Sequence, residues 1–516
     1  MTELAENDEA PAYEQDTARE HIRGSSLLLV GRFLALALGV VTDVLLVRYL
    51  SKSDYGIFAW ALSIASLGAT VALVGLDKAI GRFVPIFQEE HDRDRVAGVI
   101  VMMVLTVIVV GVALVVALLV LAGPLGSTIS DDPVALATLL VVSALIPIRA
   151  LDSLQVAMLA IFASPFAIFF RRFVLAPGFE LAVVALLVIL GGNLAFVAVG
   201  YVIAALAGVL LYGAILAGIL IRDGVFANVH LARLRMPSRE IFSFAIPLLS
   251  SDFVFLLRGS LLVILLEALR GATDVAEFRA VLPIARNNMI VLQTFTFLFT
   301  PMASRLFARR DRERMSELYW RSAAWIAVVT FPIFAVSFSL AEPVTVLLFG
   351  ERYEDSWPIL AIIAAGYYFN VALGFNGLVL RIVGAVRYVV MVDILTLAIS
   401  IPLSIWLVIE FGALGAGVSL ATILVIQNLL YHVALPRLAG VGVFDVRYAR
   451  TYVLIAAAAA LLAALQLLVD PPFVIALPLV GVTSLLVIYL SREVLQVGDT
   501  FPEIRRLPLA GRLFGG

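Results

Sequence analysis

Residues 25–50 read SSLLLVGRFLALALGVVTDVLLVRYL. The stretch is almost wholly apolar and long enough to cross a bilayer as one helix. Yet Arg32 and Asp43 lie inside it. A charge at the centre of a bilayer costs about 2.5–3.5 kcal/mol on insertion scales. The two charges are eleven residues apart. At 100° per residue they fall within about 20° of one helical face, about 16 Å apart along the axis. They are too distant to pair with each other. Each must meet another helix, a backbone group or water on one side of the span, which predicts polar ground between helices.

The rest of the chain extends the pattern. Its 516 residues are 62% hydrophobic and only 14% charged, with a mean hydropathy of +1.06. Soluble proteins carry about 25% charged residues, so this composition marks an all-α polytopic membrane protein. A net charge of −2 points to no nucleic-acid partner. The absence of cysteine excludes disulfides, thiolate metal sites and cysteine nucleophiles. The four histidines, His21, His91, His230 and His432, are too scattered for a metal centre. The only lysines are Lys52 and Lys78, and neither follows a glycine. No GxxxxGK[ST] loop can be written, which excludes a P-loop ATPase. Residues 1–24 are acidic and polar and are expected to form a disordered cytoplasmic tail rather than a signal peptide.

Apolar windows of about 20 residues predict fourteen spans. They fall at 25–48, 56–77, 96–121, 134–158, 172–190, 195–221, 241–266, 277–300, 322–340, 358–380, 389–410, 414–435, 451–469 and 473–491. With the N-terminus inside, twenty-six basic residues fall in inner segments. Four, Arg48, Lys52, Arg270 and Arg352, fall outside. That asymmetry predicts cytoplasmic N- and C-termini in a cell-membrane protein. The outer connections are short, the longest being around LFGERYEDSWPIL (348–360), with no room for an outer catalytic domain. The segments VLLVRYLSKSDYGIFAWAL (44–62) and VILLEALRGATDVAEFRAVL (263–282) match at an offset of 223, aligning Tyr55 with Phe278. Each follows the first span of a six-span block, so a parallel repeat is expected. The expected organisation is an N-lobe at 25–221, a cytoplasmic linker at 222–240, a C-lobe at 241–435, two added spans within 451–491 and a cytoplasmic tail at 492–516.

Several motifs carry a resemblance: YLSKSDYG (49–56), GLDKAIGRFVPIF (75–87), SREIFSFAIPLL (238–249), LFGERYEDSWPIL (348–360) and EFGALGAGVSLA (410–421). Together and in this order they resemble the Wzx-like polysaccharide or oligosaccharide flippases of the multidrug/oligosaccharidyl-lipid/polysaccharide exporter superfamily. The resemblance covers about 25–440. It implies two six-helix lobes around a central cavity and the movement of lipid-linked sugars from the inner to the outer leaflet by alternating access. It also implies a cationic cavity for a phosphate or pyrophosphate headgroup.

Arg32, Arg149, Arg258, Arg279 and Arg286 lie within predicted spans. Arg279 lies within a turn of the outer edge, where its charge can snorkel. Arg149 has Asp152 at i+3, which predicts an intrahelical pair. Arg32, Arg258 and Arg286 are deeper and are the candidates for holding the headgroup, because guanidinium binds phosphate with two parallel charge-assisted hydrogen bonds. Asp43 and Asp252 are either packing partners of those arginines or acids that couple transport to a cation. Lys78 and Arg82 either anchor the inner end of span 2 or meet a headgroup arriving from the cytoplasm. No cofactor is expected beyond a coupling proton or sodium ion, or the membrane potential. Expected partners are the lipid-linked sugar, membrane lipids, and glycosyltransferases or a polymerase of the same pathway. The competing readings are a cation-coupled multidrug exporter of the same superfamily, a membrane polymerase or ligase, and a non-transporting scaffold. The first should show an acidic cavity and the second a large outer loop.

Overall fold

The computed structural model describes residues 31–129, 132–162, 169–227 and 236–496, with all of their side chains except 122–129, 248 and 250–258. Among the described residues there is no strand. The first helix, α1, is described over 31–49. It is followed by α2 (Lys52–Leu73), α3 (Leu76–Glu89), α4 (Arg93–Ile129), α5 (Pro133–Ser143) and α6 (Leu145–Phe162). A π-helical turn, Phe170–Leu175, leads into α7 (Ala176–Leu190), and α8 spans Leu194–Arg222. The second half holds α9 (Ser238–Arg270), α10 (Ala272–Arg286), α11 (Ile290–Ala308), α12 (Arg312–Phe338) and α13 (Ala341–Phe349). Then come α14 (Trp357–Ala372), α15 (Asn376–Ile382), α16 (Val386–Leu438), α17 (Ala449–Val469) and α18 (Phe473–Leu495).

Eleven helical stretches among the described residues are long and apolar enough to cross a membrane. The 53-residue α16 is two helices joined by a tight turn at Gly412 (φ 56°, ψ −131°). Ser404 and Ser419 hydroxyls touch at 2.7 Å, and Gln427 donates to Asp393 at 2.6 Å. In a straight helix those pairs would stand about 22 and 51 Å apart, at 1.5 Å per residue. The chain therefore doubles back, as the separate spans 389–410 and 414–435 require.

The chain divides into two compact units, Met1–Ile264 and Leu265–Gly516, and the division falls inside α9. Within the first unit, α2 begins where Ser51 caps it, its hydroxyl accepting from the Asp54 N–H at 3.0 Å. Predicted span 2 ends earlier than 77, because Val74 and Gly75 both turn left-handed (φ 53° and 73°). The chain then continues as α3, whose Leu76, Ile80, Phe83, Val84 and Phe87 are buried while Lys78 and Arg82 are exposed. A side chain at Gly75 would place its Cβ 2.4 Å from the Ala245 carbonyl oxygen of α9. The break thus needs glycine both for its backbone and for the close approach of α9.

Within the second unit, small residues again let helices approach. A Cβ on Gly366 of α14 would meet Ala421 Cα of α16 at 2.7 Å. The aromatics aligned by the 223-residue offset, Tyr55 and Phe278, are both buried within the first two turns of α2 and α10. Helices α17 and α18 dock on α12: Ser339 donates to the Ala459 carbonyl at 3.2 Å and Trp325 Nε1 to the Leu495 carbonyl at 3.1 Å.

Candidate functional site

The first unit encloses a cavity of about 300 Å3 bounded by α6, the π-turn, α7 and α8. Its polar lining is Arg149, Asp152, Arg171, Glu180, Tyr201 and Tyr212. The π-turn has a local cause. Pro177 lacks the N–H that would bond the Phe173 carbonyl, and a wider turn accommodates its ring. The turn delivers Arg171 to the interior, where its side chain is 2% exposed. Arg171 is ion-paired with Asp152 Oδ1, and its guanidinium lies 4.3 Å from the Tyr212 ring centroid.

This geometry corrects two expectations. Arg149 and Asp152 do not pair among the described residues: Asp152 is taken by Arg171, and Arg149 Nη1 donates to Ser66 Oγ of α2 at 3.0 Å. Arg171, one of the twenty-six basic residues of the inner count, is buried within the first unit.

Asp43 of α1, Arg149 of α6, Glu180 of α7 and Tyr201 of α8 are electrostatic neighbours. Glu180 is exposed and lines the cavity. Tyr201 is held by an edge-on contact with Phe58 of α2 at 5.0 Å between centroids. Two carboxylates, one guanidinium and one phenol from four helices therefore share a single polar region inside the first unit. Arg32, the other charge of the opening stretch, is half-buried on α1 and engaged by neighbours. A Cβ at Gly31, beside it, would lie 2.5 Å from the Phe173 ring, so this end of α1 lies against the π-turn.

In the second unit Arg279 and Arg286, two turns apart on α10, both act on Tyr367 of α14. Arg279 Nε is buried and has no hydrogen-bond partner among the described residues. Arg286 is exposed at the end of α10, just before a 3-10 turn at Asn287–Met289. The side chains of Arg258 and Asp252 lie outside the described residues. On α3, Arg82 stacks on Phe244 of α9 with its Cζ 4.6 Å from the ring centroid. No group of three or more histidines or carboxylates among the described residues is placed to hold a metal ion.

A family model described as polysaccharide biosynthesis protein matches residues 22–307. The chain belongs to that family. Among curated relatives of this family member is the succinoglycan biosynthesis transport protein ExoT of Rhizobium meliloti (strain 1021). It is 24% identical over 366 residues, covering 69% of this chain and 67% of that protein. The fold is that of solved transporters. The lipid II flippase MurJ in an inward closed conformation matches with a TM-score of 0.67 at 14% identity, over 90% of this chain and 99% of MurJ. An inward-facing multidrug resistance MATE transporter of the MOP superfamily matches with a TM-score of 0.62 at 14% identity, over 79% of this chain and 95% of that one.

Sequence reasoning about this family member found Asp43 and the intramembrane arginines, because charges in apolar windows stand out. Neither Arg171 nor Glu180 stands among the sequence candidates. Arg171 sits in the pair Arg171–Arg172 at a span start, where a basic residue is ordinary. Pro177, six residues on, was the local sign that the helix there is not regular.

Proposed function

We propose that this protein is a flippase that carries a lipid-linked oligosaccharide, on a polyprenyl phosphate or pyrophosphate, from the inner to the outer leaflet by alternating access. It would serve a cell-surface polysaccharide pathway, working beside that pathway's glycosyltransferases or polymerase in the cell membrane. Family membership supports the pathway. One structural observation carries the substrate class: Arg279 and Arg286 lie in a membrane-spanning helical stretch and make no ion pair among the described residues. Charges kept at such cost face an interior or a water-filled path. Unpaired guanidinium groups there suit an anionic phosphate headgroup and repel the cations of a drug exporter.

The cavity of the first unit suggests how transport is driven. Glu180, which lines the cavity, has Asp43 as an electrostatic neighbour, and two such carboxylates resist simultaneous ionisation, so a proton is the natural coupling ion. In this reading Asp43 and Glu180 take up and release that proton, and Arg149 biases which of them is charged. Protonation changes the charge felt by Arg149 and hence the packing of α1, α6, α7 and α8.

The test is flipping of a fluorescent lipid-pyrophosphate sugar in proteoliposomes. Arg286→Ala should slow it about ten- to hundredfold, the equivalent of one or two charge-assisted hydrogen bonds. Arg286→Lys should restore only part, since an ammonium keeps the charge and loses the fork. If Arg286→Ala and Arg32→Ala both transport at the wild-type rate, the phosphate-binding role is wrong.

A further inference from the structure

Two connections of the second unit lie side by side: the α11–α12 junction around 305–316 and the α16–α17 connection around 437–450. Gly440 abuts the Arg312 side chain, where an added Cβ would be 2.7 Å from Arg312 Cδ. The Gly442 N–H donates to Ser316 Oγ at 3.1 Å, and Trp320 Nε1 donates to the Gly442 carbonyl at 3.0 Å. His432 Nε2 meets the Val443 carbonyl at 2.6 Å. The Phe444 ring stands edge-on to Trp320 at 5.2 Å. These bonds turn the polar backbone of 442–443 inward. They leave the side chains of Val443, Phe444 and Val446 outward, exposed by 59%, 46% and 78%.

Besides this apolar ridge, the two connections carry Arg305, Arg309, Arg310, Arg312, Arg437 and Arg450. All six are exposed, and none makes an ion pair among the described residues. The acids nearby are partly occupied. Asp311 holds Arg314 at 3.6 Å, and Asp445 holds Arg447 through hydrogen bonds as short as 2.6 Å. Those bonds keep the Asp445 carboxyl below the usual carboxylate range, so the pair stays charged near neutrality. Uncovered apolar side chains, on adjoining connections that also carry unpaired arginines, match a surface half-inserted among anionic headgroups. The ridge lies where α16 ends and α17 begins, at the margin of two membrane-spanning helices. A free cytosolic acidic partner would not require that position.

We propose that the inner end of the second unit, formed by residues 305–316 and 437–450, is a binding surface for anionic phospholipids of the cytoplasmic leaflet. The apolar ridge seats between acyl chains while the arginines hold the phosphate groups, each adding about fivefold to the preference for an anionic over a neutral lipid. The proposal uses the inward orientation of these connections but not the flippase reading, and its test needs no transport.

The chain has no cysteine, so Val446→Cys provides a single labelling site. The variant carries a polarity-sensitive dye and is placed in nanodiscs of phosphatidylcholine, alone or with increasing phosphatidylglycerol. The dye should shift to shorter wavelength and lose access to acrylamide as phosphatidylglycerol rises. Adding Arg309→Gln and Arg312→Gln should raise the phosphatidylglycerol fraction at half-effect several-fold, and 0.5 M salt should do the same. Leu461→Cys, midway along α17, reports an apolar environment in every disc if the protein is folded and embedded. With that control in place, equal spectra in neutral and anionic discs overturn the proposal. So does a water-like signal throughout, or indifference to the two substitutions.

Discussion

Arg171 is the residue whose environment says most about how this chain handles buried charge. It sits in FFRRF (169–173), and only the inward turn of the π-helical segment separates its fate from that of Arg172, which is exposed. Its pairing with Asp152 is one-sided, because the Asp152 side chain remains 39% exposed to the cavity. Arg171→Ala should therefore cost on the order of 3 kcal/mol, the low end for breaking a buried pair. The measurement is thermal unfolding in detergent. A double replacement, Arg171→Met with Asp152→Leu, removes both charges and should recover most of that loss; equal damage from single and double variants would mean the pair is not what the substitution breaks. Coupling belongs to this scale too. Asp43→Asn and Glu180→Gln should leave inserted, folded protein whose flipping no longer responds to a pH gradient. If both variants keep a gradient-dependent rate, coupling lies elsewhere, with Asp252 next to be tested or the membrane potential acting on the charged substrate.

The turn inside α16 shows how one element is held by another. Gly412 reverses the chain, and the first free N–H of the returning helix, that of Ala413, donates to Asp274 Oδ1 at 2.8 Å. Asp274 lies in the first turn of α10 and also faces Arg270 at 4.0 Å. A carboxylate from one helix thus caps the start of another, answering an N–H that no intrahelical carbonyl can reach. Asp274→Ala should lower stability by about 1–2 kcal/mol, while Asp274→Asn keeps an acceptor oxygen and should lose less. Unfolding curves that place Asn and Ala together would show that the capping bond carries none of the effect. The sequence held the turn in plain view, as EFGALGAG (410–417) between two apolar windows. It held no sign of Asp274, which is 139 residues away from its partner.

For the whole molecule the strongest expectation is topological. Reporter fusions after Arg95, Arg239 and Arg314 should read cytoplasmic, and fusions near Asp131 and Arg352 should read outside. An outer signal at Arg314 would overturn the orientation, since that connection carries the largest basic cluster of the chain. It would equally move the proposed phospholipid surface to the wrong leaflet. Moving Arg171 from loop to interior removes one charge from the inner count and leaves the bias intact.

Helix class, membrane residence and the turn at Gly412 were legible in the sequence because they are local properties. Hydropathy summed over about 20 residues, a proline, or a glycine between apolar runs acts on the chain within a few turns. The same locality made Arg149 look like the partner of Asp152, since spacing along one helix was all that could be read. The tertiary structure decided otherwise. It brought Arg171 across from the π-turn to Asp152, Ser66 across from α2 to Arg149, and Asp43 and Glu180 to one polar region. In a medium of low dielectric a charge is settled by the nearest group able to answer it, and nearness there is set by helix packing rather than by distance along the chain.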